Sequence, residues 1–488
     1  MPTRSYNRFT PWVQQDDYLT NWPWFIEHKN VDGLRDGYAL HLWPKVNKGI
    51  ITNDAISSIT FEFPSDPIDL TESIIGGKGW EIYRLDSTDN TPAYTFSAAW
   101  AEIKAIVTVF PYYYIFYQAT AWNGKIARVN VNDVANGTFA TMDEGYVADA
   151  GSSFKSVPYV VVGTNIYYGI SGKIGVFDWT ATVTSFWFPD TWVTGLTLRG
   201  TTMMVYTRSG NVYQWDIALL TYSALRNIGT YIYRVAKGAI YDYIYCADGQ
   251  VFIGQWLSVQ PLSYPKISNR MNSNVSYDKR LNFSLSDENT QNKVWITALQ
   301  DMYLACNDTI PGIYKYGKLN PQMANGFHKI VTQNHLGTQI DVIYDMYFHQ
   351  RGSQFLYFSY KAGATYWVDY IDLWSLETTT DGYAITEVFA WDAASFEKTI
   401  ESIFKSTSNT SWNNYIKLYY RVNNGSWLLI KNINDSVASI VRDEINKEDG
   451  WVGFEKNIDV QFKIELHNDT GWQDSPSLHE LIYNYTLV

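Results

Sequence analysis

The chain has 488 residues, of which 46% are hydrophobic and 17% aromatic but only 18% charged; this is apolar material for two or three domains and too little charge for long solvated helices. The formal net charge is −12 and no run of Lys and Arg offsets it locally, which argues against charge-driven binding to nucleic acid, and no sequence-specific nucleic-acid partner is expected. No stretch reaches the ~18 uncharged apolar residues of a spanning helix, and the N-terminus has no apolar signal core, so no membrane span is expected and the product reads as made in a cytoplasm without a signal peptide.

Taken in chain order, residues 1–48 read as an aromatic arm. They hold Trp12, Trp22, Trp24 and Trp43 together with four prolines, a mixture that suits neither a clean strand nor a helix. Such an arm docks by inserting aromatic side chains, and Trp12, Trp22 and Trp24 are its candidate interaction residues, because Trp is a favoured interface anchor.

Residues 49–388 carry a repeat. Three segments, Asn165–Trp179, Thr202–Asp216 and Tyr241–Trp256, each place an aromatic strand, a polar-Gly turn and a second aromatic strand in the same order. The turns are Ser171-Gly172, Ser209-Gly210 and Asp248-Gly249, and their glycines stand 38 and 39 residues apart. Weaker copies surround Gly79, Asn123-Gly124, Gly312 and Gly363. Repeats of about 40–45 residues built from strand pairs are the signature of four-stranded propeller blades. The expected fold is therefore all-β, with a seven-bladed β-propeller over residues 49–388; six or eight blades are also allowed. A long meandering sandwich would show hairpins too, but the near-regular spacing favours a ring. The widest interval leaves room for a loop insertion around Ser268–Thr290. Cys246 and Cys306 are the two cysteines; they form no disulfide framework and fit buried thiols, with a single bridge left open. Residues 389–488 alternate as an antiparallel domain with a turn signal at Asn423-Asn424-Gly425, and read as a C-terminal β-sandwich of jelly-roll type.

Chemistry-bearing motifs are sparse. The sequence has no phosphate loop, no H-E-x-x-H and no G-x-S-x-G elbow, so neither a cofactor, a metal nor an enzymatic activity is expected. His328 and His335 fall on opposite faces of a strand, which argues against a shared metal. Asp178, Asp216, Asp369 and Asp372 follow second strands of hairpins and read as turn formers rather than an acidic ring. The acidic loops at Asp86–Asn90 and Asn130–Gly137 lack the Gly-x5-Glu of a helical calcium loop. Trp187, Trp192, Trp412 and Trp427 lie near expected turns and are candidates for stacking on sugar rings.

Several segments carry a resemblance. These are FIEHKNVDGLRDGYALHLWPKV with Asn30-Val31 and Gly37, then KTIESIF (Lys398–Phe404), YRVNNGSWLLI (Tyr420–Ile430) and SPSLHELIYNYTL (Ser475–Leu487). Together they resemble the β-propeller tail nozzle and tail-tubular proteins of short-tailed bacteriophages. His41-Leu42-Trp43-Pro44 stands where that family has an Arg-rich continuation. The resemblance implies a non-enzymatic virion component of a phage tail, a ring-like homo-oligomer in contact with other virion tail proteins, lining or capping the channel for DNA ejection. A net negative charge suits such a channel, since it suppresses phosphate binding. Two alternatives remain at this point: a host-recognition protein that binds a surface glycan or receptor, and a polysaccharide-degrading enzyme, which would need paired carboxylates.

Overall fold

In a computed structural model of the protein, the described residues run with short gaps over 73–261 and 295–487, preceded by strand segments at 3–6, 25–29, 31–32, 41–42, 46–52 and 58–62. Among them the protein is nearly all β, arranged in antiparallel sheets; the helix described is the five-residue turn Val131–Ala135. Trp12, Trp22 and Trp24, the 268–290 insertion and the Asp248-Gly249 turn lie outside the described residues.

Six sheets follow one another along residues 58–95, 102–150, 159–187, 193–227, 232–261 and 295–331, each with four consecutive strands paired in sequence order. A seventh is built from Val342–Arg351, Ser353–Ala362 and Thr365–Asp372, and its fourth strand is Val46–Thr52, which precedes the first sheet in the chain. The first strands pack on each other. Ser58–Glu62 lies against Glu102–Val109, Tyr159–Val162 against Val193–Arg199, and Val193–Arg199 against Ile232–Lys237. The series continues through Trp295–Ala298 to Val342–Arg351, which packs back on Ser58–Glu62.

Hairpin chemistry explains the repeat, with one correction. In six two-residue turns it is the first residue that takes positive φ: Gly79, Gly163, Gly200, Gly363, Ser171 and Trp256. That is the primed geometry that suits twisted strands, and glycine fills it in four cases. At Ser171-Gly172 the strain therefore falls on the serine, with φ 45°, not on the glycine. Two of the expected turns are displaced. Asn123-Gly124 opens the strand Asn123–Asn130, and Gly312 opens Gly312–Lys318. Ser209-Gly210 belongs to a wider turn, since Tyr206 pairs with Val212. There the carboxylate of Asp190 accepts from Thr207 Oγ1 at 2.7 Å, Ser209 Oγ at 2.5 Å and Asn211 Nδ2 at 2.6 Å.

The cores lie between sheets. Second strands are buried on both faces, so alternate residues feed different clusters. Tyr113, Ile115 and Tyr117 pack towards the first sheet with Ile75, Ile82 and Phe96, whereas Tyr114 and Phe116 pack towards the third with Ile166, Tyr168 and Phe177. Met203 and Val205 face the third sheet, and Met204 and Tyr206 the fifth. Burying each such side chain contributes about 1.5–3 kcal/mol. Buried polar contacts fix the same seams. Asp242, fully buried in the fifth sheet, accepts from Thr197 Oγ1 at 2.7 Å and Tyr206 OH at 2.6 Å, and pairs with Arg199 Nη2 at 2.5 Å, all from the fourth sheet. Burial and that carboxylate push the Tyr206 phenol well above its ordinary pKa. Cys246 is buried beside this seam and is not in a disulfide.

The remaining strands form two sheets. One runs Thr3–Tyr6, Ser477–Leu487, Lys398–Ser408, Val441–Ile445; the other runs Phe25–Lys29, Asp381–Thr386, Val460–Asn468, Asn414–Val422, Leu428–Ile433. Their inner faces share one cluster, with Ile403, Leu478 and Leu481 from the first and Ile416, Leu418, Phe462, Ile464 and Leu466 from the second. Two features differ from the sequence reading. Asp381–Thr386, expected within the repeat, pairs with Val460–Asn468. The N-terminal arm, expected to lack clean strands, contributes Thr3–Tyr6 and Phe25–Lys29 to these sheets and Val46–Thr52 to the seventh. A sequence dense in Trp and Pro carries no local signal for strands whose partners lie hundreds of residues away.

Two stability predictions follow from the seams. Asp242→Ala leaves Arg199 without its carboxylate in a buried site and should cost about 3–5 kcal/mol in urea unfolding; a loss within experimental error would show that the seam is not held this way. In the third sheet a Cβ at Gly175 would sit 2.2 Å from Cζ of the buried Tyr168. Gly175→Ala should therefore destabilise by about 1–3 kcal/mol through overpacking, read by the same denaturation, and an unchanged midpoint would contradict that contact.

Candidate functional site

The outward face of the five-stranded sheet brings aromatic, basic and acidic side chains from three strands together. Period-two alternation sorts the strand Asn414–Val422. Ile416, Leu418 and Tyr420 enter the core, and Tyr415, Lys417, Tyr419 and Arg421 face outward. Val460–Asn468 is sorted likewise, with Phe462, Ile464 and Leu466 inside and Lys463, Glu465 and His467 outside. Antiparallel register then sets these residues in rows: Asp381, His467 and Tyr415 in one, Tyr383, Glu465 and Lys417 in the next. The depression over these rows has a volume of about 350 Å³ and includes Thr380 and Gly382 in its lining. That size is at the lower end of ligand pockets, roughly 300–1,000 Å³.

The groups hold one another in place. His467 Nδ1 bonds the Asp381 carboxylate, whose other oxygen accepts from Thr380 Oγ1 at 3.2 Å. The Tyr415 ring stacks on the His467 imidazole with centroids 4.5 Å apart, and Lys417 Nζ lies 5.0 Å from the Tyr415 centroid. Lys463 Nζ is 2.5 Å from Glu465 and lies over both the Tyr383 and Tyr419 rings. Further along, Arg421 donates to Gln461 at 2.7 Å and covers the Trp427 ring at 4.6 Å. Burial, with the charge and hydrogen bond of Glu465, pushes the Tyr419 phenol up to about 12. The second ring nitrogen of His467 faces Asp469 at 3.9 Å, so carboxylates stand at both ends of the imidazole. The arrangement offers two aromatic platforms with both acceptors and donors at their edges, which is equipment for binding a polar ligand.

At the same end of this sheet stands Trp412. Its turn is tied by Ser411 N to Asn414 O at 2.5 Å and by Asp469 N to Asn413 O at 2.9 Å, and its side chain is 81% exposed. The other tryptophans singled out in the sequence are dispersed. Trp187 is 80% exposed on the third sheet under Lys173 Nζ at 4.3 Å, and Trp192 lies under Arg208 at 4.9 Å. The four acids also stay apart, on the third, fourth and seventh sheets. Asp216 accepts from the Ala218 and Leu219 amides, each at 2.9 Å, as a turn former does. Asp369 departs from that expectation: it is buried and accepts from Tyr360 OH at 2.7 Å. Asp133, in the 130–137 loop, accepts from Thr141 N at 2.9 Å and so is committed to the turn. Among the described residues no group of three His, Cys, Asp or Glu is placed to hold a metal ion, and no helix is long and apolar enough to cross a membrane. The Asp86–Asn90 loop and His335 lie outside those residues.

Tyr383, Tyr415, Lys417, Glu465 and His467 were not singled out from the sequence. Alternation within each strand assigns them to the outer face, but only the register of three strands far apart in the chain sets them side by side. No family model matches the chain, and no curated protein matches it. Among solved structures it is similar to the computationally designed Ika8 protein, at 12% identity and a TM-score of 0.42, over 67% of this chain and 100% of that one.

The raised Tyr419 pKa predicts a pH dependence. A phenol titrating near 10 in the unfolded chain and near 12 in the folded one contributes stability that is complete below about pH 10 and lost as pH rises through about 12. The penalty of Tyr419→Phe in urea unfolding should therefore shrink over that window. A penalty that stays constant across it would contradict the raised phenol pKa, whose causes are burial first and Glu465 second.

Proposed function

We propose that the chain is a structural component of a bacteriophage tail, nozzle-like in kind, in which the seven sheets form a closed seven-bladed propeller and the last two form a β-sandwich. The ring reading is supported by seven successive four-stranded sheets, by first strands that pack on one another at six of the seven seams, the last on the first among them, and by a last sheet completed from the chain's early strand Val46–Thr52. Completing the last blade with a strand from before the first is a general way to tie a ring shut without leaving an open edge.

The observation that carries the functional reading is the distribution of the N-terminal segment. Its strands Thr3–Tyr6, Phe25–Lys29 and Val46–Thr52 are laid into three different sheets, two at the C-terminal end and one in the proposed ring. Drawing the segment off either part would require releasing Val46–Thr52 from the seventh sheet, or both Thr3–Tyr6 and Phe25–Lys29 from the other two. Such stitching suits a part that holds its shape under load, as a conduit for a pressurised genome does. The net charge of −12 favours passage of DNA without adhesion. The resemblance of the N-terminal and C-terminal segments to tail nozzle and tail-tubular proteins points the same way, and with it comes a ring-like homo-oligomer in contact with other tail proteins.

Cryo-electron microscopy and mass spectrometry of purified particles test this reading. The chain should appear in several symmetry-related copies around the tail axis. A strictly monomeric protein that is absent from every particle would overturn it.

A further inference from the structure

We infer that the outward face of the five-stranded sheet is a binding site for an uncharged saccharide, with Trp412, Tyr415 and Tyr383 as ring platforms and Asp381, Glu465 and Lys417 as hydroxyl partners. Three observations carry this. The first is the depression of about 350 Å³ itself, lined by groups from three strands.

The second is the chemistry of the lining. Sugar hydroxyls both donate and accept, and they are met best where carboxylates and an ammonium alternate beside an aromatic ring. Asp381 and Glu465 supply acceptors, and Lys417 supplies a donor over the Tyr415 ring. An anionic sugar would face both carboxylates, in a chain that is already −12, and a cationic ligand would face Lys417 and Lys463. The balance selects a neutral ligand.

The third is Trp412. A large apolar ring 81% exposed on a hydrogen-bonded turn costs solvation and adds nothing to the core. Its turn is bonded to Asp469, next to His467, and Thr380 of the lining accepts from Asn468 N at 2.7 Å, so the ring and the depression share one end of the sheet. Tyr415 is held by stacking on His467, so one platform is already ordered before a ligand arrives, which lowers the ordering cost of binding.

The test uses the full chain and saturation-transfer difference NMR with a panel of neutral hexose and deoxyhexose oligosaccharides and their uronate-bearing counterparts. At least one neutral oligosaccharide should bind, more tightly than its uronate counterpart. Trp412→Ala and Tyr415→Ala should each weaken binding roughly ten-fold or more, whereas Trp187→Ala, an equally exposed tryptophan on the third sheet, should leave it unchanged. Thermal unfolding of each variant checks that it is folded, and Tyr415→Leu replaces Tyr415→Ala if the latter is not. No binding by any neutral member at millimolar concentration, preference for the uronates, or equal binding by the Trp412 and Tyr415 variants would each overturn the assignment. The outcome is independent of whether the chain is found in a particle.

Discussion

A four-stranded sheet with apolar side chains on both faces is not stable in water by itself, and this constraint governs most of the molecule. The second strands carry runs such as Tyr113–Tyr117 and Met203–Tyr206 in which successive residues are buried on opposite sides. Each sheet therefore needs a neighbour on either face, and the clusters between sheets are the cores. An arrangement of this kind has no natural end: the first and last members each leave one face uncovered unless they meet. Val342–Arg351 lies against Ser58–Glu62, and Val46–Thr52 pairs with Thr365–Asp372 in the last sheet.

Polar groups in the seams add direction to what apolar packing leaves adjustable. Asp242 with Thr197, Tyr206 and Arg199, and Glu144 with Tyr94 and Ser97, each join one sheet to the next through a carboxylate. Apolar surfaces tolerate sliding. A buried carboxylate such as that of Asp242 does not, because displacement leaves it without partners at a cost of several kcal/mol. The aromatic-rich composition and the low charge thus have a common cause. Tyr fills the space between sheets and brings a hydroxyl that satisfies the few acids buried there.

The C-terminal sheets solve the same problem differently, by enclosing one core between two inner faces and leaving an outer face in water. That outer face is where chemistry is free to vary without disturbing the fold. Tyr415, Lys417, Glu465 and His467 occupy it, braced against one another rather than against the core. The proposed structural role and the proposed saccharide site are compatible for this reason, since one is carried by the seams and threaded strands and the other by a surface those do not use.

How much could be read in advance depends on the range of the interaction. Hairpins are local: polar and glycine residues between two aromatic strands marked Ser171-Gly172 and Gly363, and alternation separated Ile416, Leu418 and Tyr420 from their outward neighbours. Even local reading failed where turn geometry competes with composition, as at Asn123-Gly124, which lies in a strand, and at Asp369, whose place at a strand end suggested an exposed turn former although it is buried against Tyr360. The sequence by itself determined the β class, the approximate hairpin repeat and the alternation of the C-terminal strands, because those follow from period-two geometry and turn stereochemistry. Only the tertiary structure decided which strands became neighbours: Val46–Thr52 with Thr365–Asp372, Asp381–Thr386 with Val460–Asn468, and through that second pairing the meeting of Asp381, Tyr415 and His467. Strand partners are chosen by burial and backbone hydrogen bonding across hundreds of residues, and any edge strand of suitable pattern satisfies the local rules equally well.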